Sequence, residues 1–495
     1  MQVRRERYRC VVMMKMRPAL VLLAVTLSAC GGSSHAALDR LHPCQIAEGP
    51  PDAYCGRYSV FENRSLRQGR TISLKIVVAP ALKRNPKLDP LFIFEGGPGG
   101  GAATLASYRV PLFRRFQTDR DIVLIDQRGT GDSNPLDCSR EEGDGEDLEN
   151  IDVYPVDRFR RCLEALAADP RLYTTPVAMD DIDEVRRHLG YSAINLWGGS
   201  YGTRAALVFL KRHEDAVRSV VLDGVAPPDM RLPLYMARDG QRALDRLIDD
   251  CARDSACARQ FPDLGRTVTT LWARLTTRPR VPFTHPRTGK SLTIGVSQRL
   301  VASIVFQSLY NPEIAALLPR LLTDAADGQF QGLFALAFSQ EVPKGGMSEG
   351  MFLSVVCAED MPRITADEIT KEASGGFMGT AMFDTRMKPC EFWPAGTVTA
   401  DYYEPVVSAK PVLIFSGADD PVTPPSCGDE VAAHLKRARH VIVPGAGHIT
   451  LTRGCVPQIM ARFLERASVD GLDTSCVAAL RRPPFFTTYT GPGPQ

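Results

Sequence analysis

Six short apolar runs punctuate the chain: residues 91–94, 122–125, 194–197, 220–222, 412–415 and 441–443. Each is bounded by Gly, Asp or Pro, and none shows sustained polar alternation. Runs of this kind fit strands buried on both faces of a parallel sheet. Helical spacing appears between them. Ile182, Val185 and Leu189 fall at i, i+3 and i+7 within 180–189, and 203–212 is a second such stretch. Strands alternating with helices predict an α/β fold with a mostly parallel sheet. The pattern breaks near residue 229. From there to about 400 the chain is helix-rich without a clear buried strand run. Residues 241–252, 298–309 and 315–325 have helical spacing, the last carrying Leu317, Leu318, Leu321 and Leu322. Strand-like runs resume at Pro411. The expected organisation is one α/β domain in two parts, 30–228 and 401–495, split by a helical insertion over 229–400. No internal repeat interrupts this pattern.

Composition adds two constraints. The 495 residues are 44% hydrophobic and 23% charged, which is ordinary for a globular protein. Lys and Arg number 59 against 57 Asp and Glu, and that balance argues against a nucleic-acid partner. The thirteen cysteines are the unusual feature. The N-terminus accounts for two of them. Arg4, Arg5, Arg7, Arg9, Lys15 and Arg17 precede an apolar run over 19–27, which is too short for a permanent membrane span. The run ends in Leu27-Ser28-Ala29-Cys30, followed by Gly31-Gly32-Ser33-Ser34. A Cys at the first mature position resembles a bacterial lipobox. Residues 1–29 are therefore expected to be a signal peptide, with lipid attached at Cys30; an ordinary secretory signal is the alternative. Translation could equally begin at Met13, Met14 or Met16. Gly31 resembles the sorting pattern of outer-membrane lipoproteins, so the expected location is the bacterial cell envelope, anchored on the periplasmic side.

Export makes disulfides the default for the remaining eleven cysteines. No Cys-x-x-Cys occurs, so zinc-ribbon and thioredoxin-like motifs are unsupported. Sequence neighbours suggest the pairs 44–55, 138–162, 251–257, 357–390 and 455–476, although spacing does not fix connectivity. These pairs leave Cys427 over.

The chemistry sits at the ends of the strand runs. Gly198-Gly199-Ser200-Tyr201-Gly202 matches G-x-S-x-G, follows a strand run and opens a helix. In such a nucleophile elbow a sharp turn holds the Ser hydroxyl at the strand's carboxyl end, beside N–H groups of the helix N-terminus. Ser needs a base, and the base needs an orienting acid. Those partners are expected later in the chain, acid first and His second. Asp419 and Asp420 follow the run 412–415, and Asp420 is preferred because it directly precedes the Pro421-x-x-Pro424 turn. His448 follows the run 441–443 on a Gly-rich loop. The other seven His residues fall at helix ends, inside a helix, at a strand start or in loops. Gly96-Gly97-Pro98-Gly99-Gly100 lacks the Lys-Ser/Thr of a P-loop. Its expected role is one oxyanion N–H, from Gly97 or alternatively Gly96, with Tyr201 giving the other.

Taken in order, residues 95–100, 126–133 (Asp-Gln-Arg-Gly-Thr-Gly-Asp-Ser), 198–202 and 420–424 (Asp-Pro-Val-Thr-Pro) resemble the prolyl aminopeptidase and tripeptidyl aminopeptidase family of serine peptidases. The resemblance spans roughly 60–470. It implies an α/β-hydrolase fold with a helical cap, and removal of proline or a short peptide from a free N-terminus. Glu95 departs from the His that prolyl aminopeptidases carry before Gly-Gly-Pro-Gly, which moves the chain toward the tripeptidyl branch. The family's acidic cap residues imply that Glu359 and Asp360 receive the substrate ammonium; solvated surface charges are the alternative. Trp393 is read as cap core. A small ester is the competing substrate, and a non-catalytic envelope binding protein the competing class. No metal or organic cofactor is implied, and oligomeric state is left open.

Overall fold

A computed structural model describes residues 37–492 except 47–48, 50–51, 84–85, 88, 139–155, 287 and 340–345. The signal segment with Cys10 and Cys30 lies outside the described residues. Nine strands form one sheet: β1 (His42–Cys44), β2 (Ala53–Phe61), β3 (Thr71–Ala79), β4 (Leu91–Phe94), β5 (Ile122–Ile125), β6 (Ile194–Gly199), β7 (Val217–Asp223), β10 (Ser408–Gly417) and β11 (Leu435–Val443). Their spatial order is β1-β2-β3-β5-β4-β6-β7-β10-β11. The pairs from β5 through β11 are parallel, while β1, β2 and β3 join antiparallel at one end. The expected mostly parallel α/β sheet is therefore present, and all six apolar runs lie within its strands.

Side-chain alternation sends the two halves of each strand to opposite faces. Phe92, Phe94, Val123, Leu196, Val220, Leu222 and Ile414 face the helices Thr175–Leu189 and Tyr201–Arg212. Leu91, Ile93, Leu124, Trp197, Val221, Leu413 and Phe415 face Ala106–Phe113 and Val456–Arg466. Burial on both faces is why these strands read as unbroken apolar runs.

The insertion differs from its expected form in two respects. It contains an antiparallel hairpin, β8 (Arg280–Thr284) with β9 (Ser291–Gly295). Only Val281 and Phe283 of β8 are buried, so the strand alternates and leaves no apolar run. The insertion is also not one packed unit. Helices Met236–Arg253, Leu264–Leu275, Gln298–Leu309 and Leu318–Ala326 share a core with the hairpin and with Phe377 and Met378. The helix Glu349–Glu359 leaves that core: Met351 and Val355 join the sheet cluster. Its other side packs Phe352, Leu353 and Val356 with Met387 and Trp393 in a small separate cluster, where the Trp393 indole N–H donates to Ser354 Oγ at 3.0 Å.

All five neighbouring cysteine pairs are disulfides. Cys427 is the free cysteine among the described residues. Burial pushes its thiol up to about 12, so it is a poor thiolate at neutral pH.

Candidate active site

Ser200 stands between β6 and the helix Tyr201–Arg212 at φ 57°, ψ −127°. Side chains rarely adopt this left-handed region, and the surrounding hydrogen bonds hold it there. The Ser200 N–H donates to the Asp223 carbonyl at 3.0 Å, and its own carbonyl accepts from the Thr203 N–H and hydroxyl. The neighbouring glycines are demanded by space. A Cβ on Gly202 would lie 2.1 Å from the Phe94 carbonyl oxygen, and one on Gly198 would lie 2.2 Å from that of Gly202. The turn is the strained elbow expected of G-x-S-x-G.

The loops after β10 and β11 bring Asp420 and His448 together. His448 Nδ1 is 2.8 Å from Asp420 Oδ2. The other Asp420 oxygen accepts the N–H groups of Val422 and Thr423 at 2.8 Å each, and the Thr423 hydroxyl donates to Oδ2 at 2.9 Å. Burial alone would push the Asp420 carboxyl up, but His448 and these donors hold it below its ordinary value. Burial would likewise lower the His448 imidazole, yet the Asp420 charge keeps it raised. Asp419 turns away to Arg246 and Arg482. Of the two adjacent acids, Asp420 is the one that faces the imidazole.

Two residues join these parts that the motif reading passed over. Asp223 ends β7, and besides accepting the Ser200 N–H on its carbonyl it accepts the Thr450 N–H and hydroxyl and the Leu451 N–H on its carboxylate, at 2.8–3.0 Å. Its neighbour Gly224 packs against the imidazole, where an added Cβ would lie 3.1 Å from His448 Cε1. Ser200 and His448 thus converge on one dipeptide. Tyr310, from the insertion, accepts the His448 N–H at 2.8 Å and sets its ring edge-on to the imidazole, 5.1 Å between centroids. An Asp-Gly at a strand end was the only sequence signal for Asp223; Tyr310 left none.

The Gly-rich loop lies beside the nucleophile. A Cβ on Gly96 would sit 3.0 Å from Ser200 Cβ and 3.6 Å from its hydroxyl oxygen. Gly97 has φ 121°, open to glycine alone. The Gly96–Gly97 peptide and the first N–H of the elbow helix, Tyr201, are therefore near the serine. A helix's first N–H groups have no partner within it. Ser348 holds the loop from above, donating its N–H to the Gly99 carbonyl at 3.0 Å. Glu95 is buried below and ion-paired with Arg109.

Glu359 and Asp360 are not where the resemblance implied. Both are fully buried. Glu359 accepts from the Thr175 N–H and hydroxyl and from the Tyr402 hydroxyl, while Asp360 takes Arg204 at 3.0 and 3.1 Å. With their oxygens so occupied, these carboxylates anchor the helix Glu349–Glu359 to the elbow helix. That corrects the expectation of an ammonium site. The Tyr201 hydroxyl meets the same network through Thr175 Oγ1 at 2.7 Å, so its side chain points away from the serine. Arg128 of the 126–133 motif is likewise structural: it is buried and holds Asp181 at 2.6 and 3.0 Å. Among the described residues no group of three His, Cys, Asp or Glu side chains is gathered for a metal ion.

A strained serine, an imidazole backed by a buried carboxylate and N–H groups beside the serine are the parts needed for acyl transfer. Residues 89–452 match the family model described as the alpha/beta hydrolase fold. Serine protease Hip1 of Mycobacterium tuberculosis is 24% identical, over 90% of this chain and 94% of that protein. Carboxylesterase B of the same organism is 26% identical over 83% and 84%. Proline iminopeptidase of Arabidopsis thaliana is 31% identical over a shorter stretch, 28% of this chain and 27% of that protein.

Proposed function

The chain belongs to the alpha/beta hydrolase family, and from that premise we propose that it is an exported serine exopeptidase releasing proline or short peptides from free N-termini, in the manner of the tripeptidyl aminopeptidases. The observation that carries the chemistry is the 2.8 Å contact of Asp420 with His448, on a loop tied through Asp223 to the strained Ser200 turn. In this reading Ser200 Oγ attacks the scissile carbonyl as His448 Nε2 takes its proton. Asp420 fixes the imidazole tautomer and stabilises the imidazolium. The Gly97 and Tyr201 N–H groups receive the oxyanion, and His448 then returns the proton to the leaving amine. Water repeats the sequence on the acyl-enzyme.

The similarity to a serine protease across nine-tenths of the chain supports a peptide substrate. The match to a carboxylesterase across most of it supports the second reading, a small ester. One experiment separates them. Free-amine peptidyl anilides, their N-acetylated forms and short-chain esters are assayed with wild type and Ser200→Ala. Turnover of free-amine anilides alone, lost by about 10³-fold or more in Ser200→Ala, is expected. Equal turnover of blocked peptides removes the exopeptidase reading, and unchanged turnover in Ser200→Ala removes the mechanism. A wild-type serine that fails to react with a fluorophosphonate would favour a non-catalytic binding protein.

The five disulfides accord with export to an oxidising compartment. The proposed anchor is a lipid on Cys30, holding the enzyme at the periplasmic face of the outer membrane. Cys30→Ser is expected to move the protein from the membrane to the soluble fraction on fractionation; retention in the membrane would exclude that anchor.

A further inference from the structure

The segment that carries His448 is pinned on both sides. The Tyr310 carbonyl accepts the His448 N–H at 2.8 Å, and just beyond it the Asp223 carboxylate accepts the N–H groups of Thr450 and Leu451. Between these two anchors Ile449 stands at φ 70°. A β-branched residue is an outlier there, and it persists only where its surroundings over-determine it. The residue before the base is confined as closely. A Cβ on Gly447 would lie 2.4 Å from the Tyr310 carbonyl oxygen and 3.0 Å from that of Leu309. The base therefore sits in a strained segment clamped by the core through Asp223 and by the insertion through Tyr310.

The imidazole is shared between core and insertion in the same way. Asp420 and Thr423 approach Nδ1 at 2.8 and 3.2 Å, and Gly224 backs Cε1 and Nδ1. These core groups meet one edge of the imidazole. Contacts along one edge leave a ring free to swing about that edge. The Tyr310 ring meets the imidazole from the insertion, 5.1 Å between centroids and 75° between planes. Edge-to-face contact of this kind is directional, so it sets the orientation of both rings. Tyr310 is itself held edge-on by Phe306 at 5.5 Å, one turn earlier on the helix Gln298–Leu309, and it packs on the insertion core. Val422, two residues after Asp420, is buried in the same core. The acid turn and the base are thus both seated on the insertion.

We propose that Tyr310 is the positioning residue of the general base: its ring holds the imidazole against Asp420 and toward Ser200, so that the catalytic apparatus is complete only with the insertion in place. Proton transfer needs the base within hydrogen-bond reach of the serine hydroxyl, and a misplacement of about 1 Å costs on the order of a hundredfold in rate. The proposal rests on the reading of His448 as the base for Ser200, but not on the choice of peptide over ester.

The test uses the full-length disulfide-bonded protein and the anilide or ester that wild type turns over fastest. Tyr310→Leu keeps the main-chain carbonyl and an apolar side chain but removes the ring. Its kcat is expected to fall by about thirtyfold to a hundredfold, with KM within about threefold of wild type. Tyr310→Phe, which restores the ring without the hydroxyl, should recover most of that loss. A double-mutant cycle separates positioning from general support. His448→Ala has no imidazole to position, so adding Tyr310→Leu should lower its residual rate by no more than about twofold. Fluorophosphonate labelling of Ser200 supplies a second rate for the same proteins, and thermal melts show that each is folded at the assay temperature. An unchanged kcat in Tyr310→Leu overturns the proposal. So does a loss of equal size with and without His448, which would make Tyr310 a general structural support. A Phe variant no better than Leu overturns it as well, by moving the effect from the ring to the hydroxyl. Full turnover in His448→Ala would instead remove the assignment of the base, which is a separate outcome.

Discussion

The Asp223 carboxylate takes no part in the proposed proton path, yet the residue joins both of its ends. Its carbonyl accepts the Ser200 N–H, and its carboxylate accepts three donors from Thr450 and Leu451, directly beyond His448. Burial pushes this carboxyl up to about 6, while the Thr450 and Leu451 donors and the His448 charge pull the other way. When ionised, Asp223 favours the imidazolium and so raises the His448 pKa. In the proposed mechanism the base must be neutral to accept the Ser200 proton, so activity is expected to fall as pH drops through that pKa. Removing the negative neighbour lowers the pKa, and the acid limb moves to lower pH. For Asp223→Asn we expect the acid limb of kcat/KM to move down by roughly one pH unit, from a charge pair at an intermediate dielectric. The limb should also sharpen toward a single titration, because the charges of wild-type Asp223 and His448 act on each other. A slower variant with an unmoved limb would reduce Asp223 to a purely structural brace.

At the level of elements, the readable parts were those whose signal is local. The six doubly buried strands read as apolar runs because both of their faces are covered. Ser200, Asp420 and His448 stand where such runs stop, so strand ends located them. The near-neighbour disulfides follow the same logic, closing short stretches of chain. β2 and β3 escaped notice because half their side chains meet solvent or the sheet edge, as in the alternating burial of β3 from Thr71 to Ile76. The β8–β9 hairpin hid for the same reason. Glu359 and Asp360 were misread because their meaning is non-local. Asp360 pairs with Arg204, 156 residues earlier, and Glu359 caps Thr175, 184 residues earlier. Arg204 lies on the elbow helix one turn after Ser200, where a lone Arg reads as a solvent-facing charge. Its complete burial, with Asp360 holding it protonated against the cost of desolvation, turns a surface pattern into the anchor of a helix.

Across the described chain, the insertion and the hydrolase core meet at the acid loop as well as at the elbow helix, and at the acid loop the contact is made by Asp419. Arg246 from the insertion reaches its Oδ1 at 2.7 Å, and Arg482 from the C-terminal segment reaches its Oδ2 at 2.8 Å. Arg242 adds a hydrogen bond to the Asp420 carbonyl at 2.5 Å. Beyond Arg482 the chain crosses onto the insertion. Phe485 is buried in the insertion core, and the Phe486 N–H donates to the Ala316 carbonyl at 3.0 Å. Two adjacent carboxylates therefore carry separate burdens, which substitutions can tell apart. Asp419→Asn leaves Arg482 buried without its second partner, although the half-exposed Arg246 can return to water. The expected cost is about 2–4 kcal/mol, toward the lower side of a broken buried pair, seen as a lower Tm. Its kcat should stay within about tenfold of wild type. Asp420→Asn should do the reverse. The shape of the turn is kept, but His448 loses the acceptor that sets its tautomer, and kcat should fall by about 10⁴. The two variants are compared by thermal melts and by steady-state turnover of one anilide. A large rate loss in Asp419→Asn with normal rates in Asp420→Asn would exchange the two roles. That result would place the orienting acid on the residue that here ties the insertion and the C-terminal segment to the core.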